Sequence, residues 1–155
     1  MIEEDKKRLL DTNICANYLN ALRKKENKRS PEQKRIFANV EKIKQNTQLY
    51  ISQVTVAELR FGAEKSQSRE KNLERIEKFK EAILELKVDD EVWDVFVKIK
   101  AELSRVGRPI ADMDLLIAAT AKRYNLMLTS NDKDMDNLDF LTENRVERES
   151  WEKKV

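Results

Sequence analysis

Carboxylates stand at the places in this chain where chemistry could use them. Asp11 follows the apolar pair Leu9-Leu10, Glu58 lies within "SQVTVAEL", Asp112 and Asp114 open "DMDLLIAATA", and Asp132, Asp134 and Asp136 follow "LMLTS". Singly, such residues end strands and cap helices. Gathered in one cleft they cannot all remain ionised unless a cation neutralises them. An oxygen-only ligand set suits Mg²⁺ or Mn²⁺ rather than zinc, and a hard cation on carboxylates suits hydrolysis of a phosphodiester. Rival chemistries are scarce. The chain has no His and a single Cys, Cys15. This excludes Ser-His-Asp and Cys-His triads, His-ligated zinc and an intrachain disulfide. One lone thiol also fits a reducing compartment.

Each acid has a plainer role to weigh. Asp11 by itself reads as a turn former. Glu58 sits between Val56-Ala57 and Leu59, in an apolar stretch that argues against a merely solvated charge. Asp112 is well placed as an N-cap. Asp114 directly precedes "LLIAATA", close to the core, at a helix start whose macrodipole favours an anion. Spacing does not choose among Asp132, Asp134 and Asp136, and an acidic run is ordinarily a solvated loop. Cys15 reads as core packing, and Trp93 and Trp151 as packing or dimer residues rather than base-stacking platforms.

The elements that must position these residues follow from apolar periodicity. "KRLLD" predicts a buried strand over Arg8 to Asp11, and Ile14, Tyr18, Leu19 and Leu22 a helix over Asn13 to Arg23. "KKENKRSP" breaks it. Ser30-Pro31 then starts a helix to about Gln45, with Ser as N-cap and Pro at the first helical position. "QLYIS" predicts the second strand. A helix from Val54 carries Val56, Leu59 and Phe61 toward Gly62, where a pause or turn is expected, and another spans Arg69 to Leu84 on a stripe of Leu73, Ile76, Phe79, Ile83 and Leu84. "LELKV" is a short strand. Glu91 to Val106 is amphipathic through Val92, Val95, Phe96, Ile99 and Leu103, and "DMDLLIAATAKRYN" is a more buried helix. "LMLTS" is a strand, and a weak last strand is expected near Arg145 to Glu147.

Strands alternating with helices predict an α/β fold with a parallel sheet covered on both faces, whose sites lie at the carboxyl ends of the strands. With 155 residues, 40% of them hydrophobic, the chain can bury a core as one domain, 1–155. Two Gly and two Pro argue for long helices rather than a turn-rich β fold. The net charge of +2 names no partner, so any nucleic-acid argument rests on where the charge lies. "MIEEDKKRLL" does not read as a signal peptide and no run is long enough to span a bilayer. A cytoplasmic protein without a membrane role is expected.

"LLDTNI", "ISQVTVAELRFGAEKS" and "GRPIADMDLLIAATAKRYNLMLTSNDKDM", in this order and approximate spacing, resemble the PIN-domain family, and most of all the VapC toxins of bacterial toxin–antitoxin pairs. Each motif is weak alone; the set, covering about 8–151, is specific. The resemblance implies a three-layer α/β/α sandwich with a central, mainly parallel sheet. It implies an endoribonuclease in which a quartet of acids binds Mg²⁺ or Mn²⁺, leaving a 5′-phosphate and a 3′-hydroxyl. Carried onto this chain, the quartet is Asp11 in "DTN", Glu58 in "AEL", Asp114 before "LLIAATA", and Asp134. The last rests on a family pattern Thr-x-Asn-x-x-Asp-Phe, read here as Thr129-Ser130-Asn131-Asp132-Lys133-Asp134-Met135. Met135 replaces the usual aromatic, and Asp132 is the next candidate. Asp112 is an additional carboxylate, and Thr12, Asn13 and Asn131 resemble groups that position water or ligands.

The resemblance further implies a homodimer, an RNA substrate and a cognate VapB-like antitoxin, whose Arg would reach the carboxylates and block metal. The amphipathic helices from Glu58 to Leu84 offer grooves for an apolar partner helix. A long basic connection from Arg23 to Arg35, with Lys24, Lys25, Lys28, Arg29, Lys34 and Arg35, departs from the family; it reads as a solvated loop or as an RNA- or partner-contact arm. Two rivals remain. A haloacid-dehalogenase-type phosphatase would need an Asp where Asn13 stands. A catalytically inactive PIN-like RNA- or protein-binding module is the alternative, against which all acidic positions are filled.

Overall fold

A computed structural model of the chain describes residues 2–152. Its strands are β1 (Arg8–Leu10), β2 (Leu49–Ser52), β3 (Leu84–Leu86), β4 (Met127–Thr129) and β5 (Arg148–Glu149). They form one sheet in the order β3-β2-β1-β4-β5, every pair parallel. The chain builds outward from β1 through β2 to β3, then restarts on the other side of β1 with β4. The crevice between the carboxyl ends of β1 and β4 is therefore a topological switch point, where open parallel sheets bind ligands.

Helices α1 (Thr12–Arg23), α2 (Pro31–Lys44), α3 (Gln53–Glu64), α4 (Arg69–Ala82), α5 (Asp90–Arg105) and α6 (Asp112–Arg123) cover the sheet. Strand alternation divides the core in two. Leu10, Leu49 and Ile51 pack with Ile14, Ile36, Val40, Ile76 and Phe79 from α1, α2 and α4. Leu9 and Leu128 pack with Val92, Ile99, Leu103 and the α6 run Leu115–Ala119 on the other face. Adjacent residues Leu9 and Leu10 thus serve opposite layers, and the result is the expected α/β/α sandwich.

Local signals explain the boundaries. Ser30 caps α2 with a reciprocal Gln33 bond and Pro31 opens the helix. Ser52 caps α3 and Asp89 caps α5. Several expectations shift. The last strand is Arg148–Glu149, not Arg145 to Glu147, because Leu128 and Thr129 pair with those later residues. Helix α4 stops at Ala82, and Leu84 joins β3 with its side chain exposed. Leu22 and Phe61, periodic in the sequence, are also exposed. Helix α3 passes Gly62 without a turn. Among the described residues no helix is long and apolar enough to cross a membrane.

Candidate active site at the β1–β4 crevice

Asp11 is the residue after β1 and the N-cap of α1. It is 2% exposed. Both of its oxygens are occupied. The Thr12 backbone N–H donates to Oδ1 at 2.7 Å, and the Ser130 hydroxyl donates to Oδ2 at 2.5 Å. Burial pushes the Asp11 pKa up, the two donors hold it down, and the charges of Asp132 and Glu58 raise it further; the net shift is upward.

Glu58 comes from the middle of α3, six residues past the end of β2. The Thr12 hydroxyl donates to its Oε1 at 2.6 Å and stands 3.0 Å from the Thr55 hydroxyl. Thr12 therefore ties two of the expected acids together, its backbone holding Asp11 and its side chain holding Glu58. Asp114, in the first turn of α6, is half-buried and accepts no side-chain or backbone hydrogen bond among the described residues. Its pKa is raised to about 6, first by burial, then by the charges of Asp11, Asp132, Glu58 and Asp134. A carboxylate in the first helical turn is ordinarily favoured by the macrodipole; here burial and four like charges outweigh it.

Asp132 and Asp134 follow β4. The Asp132 N–H donates to Ser130 Oγ at 3.1 Å, and Asp132 Oδ1 accepts from the Asp134 N–H at 2.9 Å. Asp132 is half-buried and its charge reaches both Asp11 and Asp114; Asp134 is exposed and acts on Asp114 alone of these two. The structure thus brings Asp11, Glu58, Asp114 and Asp132 around one crevice and leaves Asp134 at its rim.

Other expected residues lie differently. Asp112 is not the N-cap of α6; Ala111 holds that position, and the Asp112 carboxylate points to Lys100 Nζ at 2.8 Å. Asn131 spends its amide on structure, accepting from the Trp151 N–H at 2.7 Å and donating to Glu32 Oε1 at 3.2 Å. Asp136 pairs with Arg148. Asn13 Oδ1, two residues past Asp11, is buried and has no hydrogen-bond partner among the described residues. Cys15 is buried in the core, where burial pushes its thiol well above the ordinary range. Trp151 is buried packing, while Trp93 is exposed against Phe96. Ser130 and Thr55 join the site although the sequence reading did not single them out. The one hint of Ser130 is a polar residue closing the buried run "LMLTS".

Among the described residues no three acidic side chains converge closely enough to chelate an ion as they stand. The donor set nevertheless fits a hard divalent cation: it is all oxygen and mutually repulsive.

A family model, "PIN domain", matches residues 8–141. The chain is 37% identical over 123 residues to the tRNA(fMet)-specific endonuclease VapC of Shigella flexneri, covering 79% of this chain and 84% of that one. It is 36% identical over 126 residues to ribonuclease VapC2 of Haemophilus influenzae, covering 81% and 86%. A structure of VapBC2 from Rickettsia felis bound to a promoter DNA fragment superposes with a TM-score of 0.77 at 25% identity, covering 94% of this chain and 99% of that one. VapBC-1 from nontypeable H. influenzae gives 0.73 at 29%, covering 94% and 98%. The parallel sheet, the acids at its switch point and these relatives agree: the chain belongs to the PIN-domain family, among its VapC members.

Proposed function

We propose that this protein is the toxin of a VapBC-type pair and cleaves RNA at the β1–β4 crevice with the help of Mg²⁺ or Mn²⁺. The observation that carries this reading is the meeting of Asp11, Glu58, Asp114 and Asp132 around one crevice, with Asp134 at its rim, in a chain of VapC ancestry. Asp11 and Asp114 would hold the cation, and Glu58 with Asp134 or Asp132 would complete its surroundings. Such an ion, when bound, neutralises the acids and polarises the scissile phosphate.

The chain's own groups set the geometry. Ser130 and the Thr12 N–H fix Asp11 from two sides, so its free lone pairs keep one direction. Thr12 orients Glu58. The reaction adds water to phosphorus and breaks the P–O3′ bond. The departing 3′-oxygen gains a proton, which gives a 5′-phosphate and a 3′-hydroxyl. No imidazole is required, in keeping with a chain that has no His.

The VapBC structures support a VapB-like antitoxin as partner; a second copy of the chain is the other partner this reading implies. The Shigella relative is named for tRNA(fMet), so that RNA is the first to test. Antitoxin-free protein is incubated with it and with ribosomal and messenger RNA, with Mn²⁺ or Mg²⁺, with EDTA, and as Asp114→Asn. Cleavage that needs metal and vanishes in the variant supports the reading. Cleavage equal in both proteins, or none with any RNA together with no Mn²⁺ binding, favours a binding module instead.

A further inference from the structure

An acidic crevice repels the polyanion it must receive, so a nuclease of this kind needs cations beside it. The segment 24–35 holds six of them, Lys24, Lys25, Lys28, Arg29, Lys34 and Arg35, against Glu26 and Glu32. It is net +4 in a chain of net +2, which leaves the remainder net negative. Elsewhere several cations pair with acids, as in Lys6–Glu147, Lys44–Glu41, Lys100–Asp112 and Arg148–Asp139, and ones unpaired among the described residues, such as Lys71, Lys87 and Lys98, stand far apart in sequence rather than gathered in one short segment. Among the described residues none of the six forms an ion pair, and Lys24, Lys25, Lys28 and Lys34 are exposed.

The segment is ordered. A 3-10 turn, Glu26–Lys28, is followed by the Ser30 capping box of α2. Arg29 Nε donates to Ala21 O at 2.7 Å, and its guanidinium lies 4.1 Å over the Phe37 ring. Lys24 Nζ donates to Gln33 Oε1 at 3.2 Å. It is also fastened to the crevice. Glu32 Oε1 accepts from Asn131 Nδ2 at 3.2 Å, and Asn131 lies between Ser130, which holds Asp11, and Asp132. Arg35 Nε donates to Trp151 O at 3.2 Å, on the same side.

We propose that the 24–35 segment is the phosphate-binding track that carries RNA to the β1–β4 crevice. This rests on the nuclease reading above but is testable apart from it. Its unpaired, exposed lysines offer point charges to backbone phosphates without reading bases, and Arg29 and Ser30 hold the track in shape before RNA arrives.

The test is RNA binding by fluorescence anisotropy across a salt series, using Asp114→Asn protein so that the RNA stays intact. Lys24→Gln/Lys25→Gln/Lys28→Gln is compared with Lys71→Gln/Lys87→Gln/Lys98→Gln, which removes the same charge from exposed lysines on α4, the stretch after β3, and α5. Lys25→Gln/Lys28→Gln spares the Lys24–Gln33 bond, and thermal melts check folding. The expected result is a salt slope shallower by about 2 in the first triple variant, at about 0.7 per phosphate contact, with the control unchanged. Equal slopes in all proteins, or equal losses in the control, overturn the proposal. So does normal RNA binding with loss of a VapB-like antitoxin, which would make the segment a partner arm. Degradation of the RNA by the Asp114→Asn protein would instead sink the catalytic reading, whatever the slopes.

Discussion

Ser130, the residue after the neighbouring strand β4, donates its hydroxyl to Asp11 Oδ2 at 2.5 Å. Both residues are almost fully buried. The same oxygen of Ser130 accepts the N–H of Asp132 at 3.1 Å. One hydroxyl thus couples the acid after β1 to the first acid after β4. Ser130→Ala would leave a buried carboxylate oxygen without its donor, a loss of about 1.5–3 kcal/mol for a bond to a charged group. RNA cleavage should fall about 10–100-fold, and the Mn²⁺ concentration for half-maximal activity should rise. Unchanged Mn²⁺ dependence would show that Ser130 does not position the site.

Asp114 gives the site its pH behaviour. Its pKa rises from 3.8 unfolded to about 6 folded, so the folded state holds the extra proton between those values. Stability of the metal-free protein should therefore fall as pH rises from about 4 to 6, and the full penalty persists above 6. Part of the side chain is exposed and screened, which leaves about 1–2 kcal/mol of the shift as a folding cost. Asp114→Asn should abolish cleavage yet raise the melting temperature at pH 7 by about 2–6 °C. Mn²⁺ should raise the melting temperature of the native protein and not of the variant. A variant less stable than the parent at pH 7 would contradict this balance of charges.

The two acids after β4 should behave differently. Asp132 is half-buried and acts on both Asp11 and Asp114, whereas Asp134 is exposed. In calorimetric titration with Mn²⁺, Asp132→Asn should weaken binding about tenfold or more and Asp134→Asn by less. The reverse order would restore Asp134 as the fourth principal acid.

Glu102 on α5 serves stability alone. It is buried, and its carboxylate accepts from the Thr142 and Asn144 backbone N–H groups at 2.7 and 3.0 Å and from both side chains. The Thr142 N–H leads in holding its pKa down to about 2. The stabilisation is complete above pH 4.5 and is lost as pH falls toward 2. Glu102→Gln should lower the urea midpoint at pH 7 and flatten the acid limb of the stability curve while leaving Mn²⁺ binding intact. An unchanged midpoint would mean that the 142–144 loop does not depend on this anchor.

Much of this protein is determined by local sequence. Period-two and period-3.6 apolar patterns state which faces are buried, so Leu9 and Leu10 on opposite layers and the Ile36–Val40–Ile43 stripe follow directly. Capping chemistry marks the start of α2 because Ser30, Pro31 and Gln33 act within one turn. Asp11 and Asp114 were legible because one sits where a strand ends and the other where a helix begins, and the strand-end rule sends such residues to one edge; Glu58, inside α3, stood out by the apolar stretch around it.

Tertiary structure decided what depends on neighbours distant in sequence. The pairing of Leu10 with Thr129 brings Ser130 to Asp11, 119 residues away, and no local pattern encodes that register. The position of β5 is set by pairing with Leu128 and Thr129 rather than by its own weak propensity. Whether an acid reaches the crevice or a surface ion pair depends on which charges stand nearby: Asp112 finds Lys100 on α5, while Asp114, two residues on, faces the charges of Asp11, Asp132, Glu58 and Asp134. Side-chain charge alone cannot distinguish the two, because burial and like-charge repulsion arise only once the layers are packed.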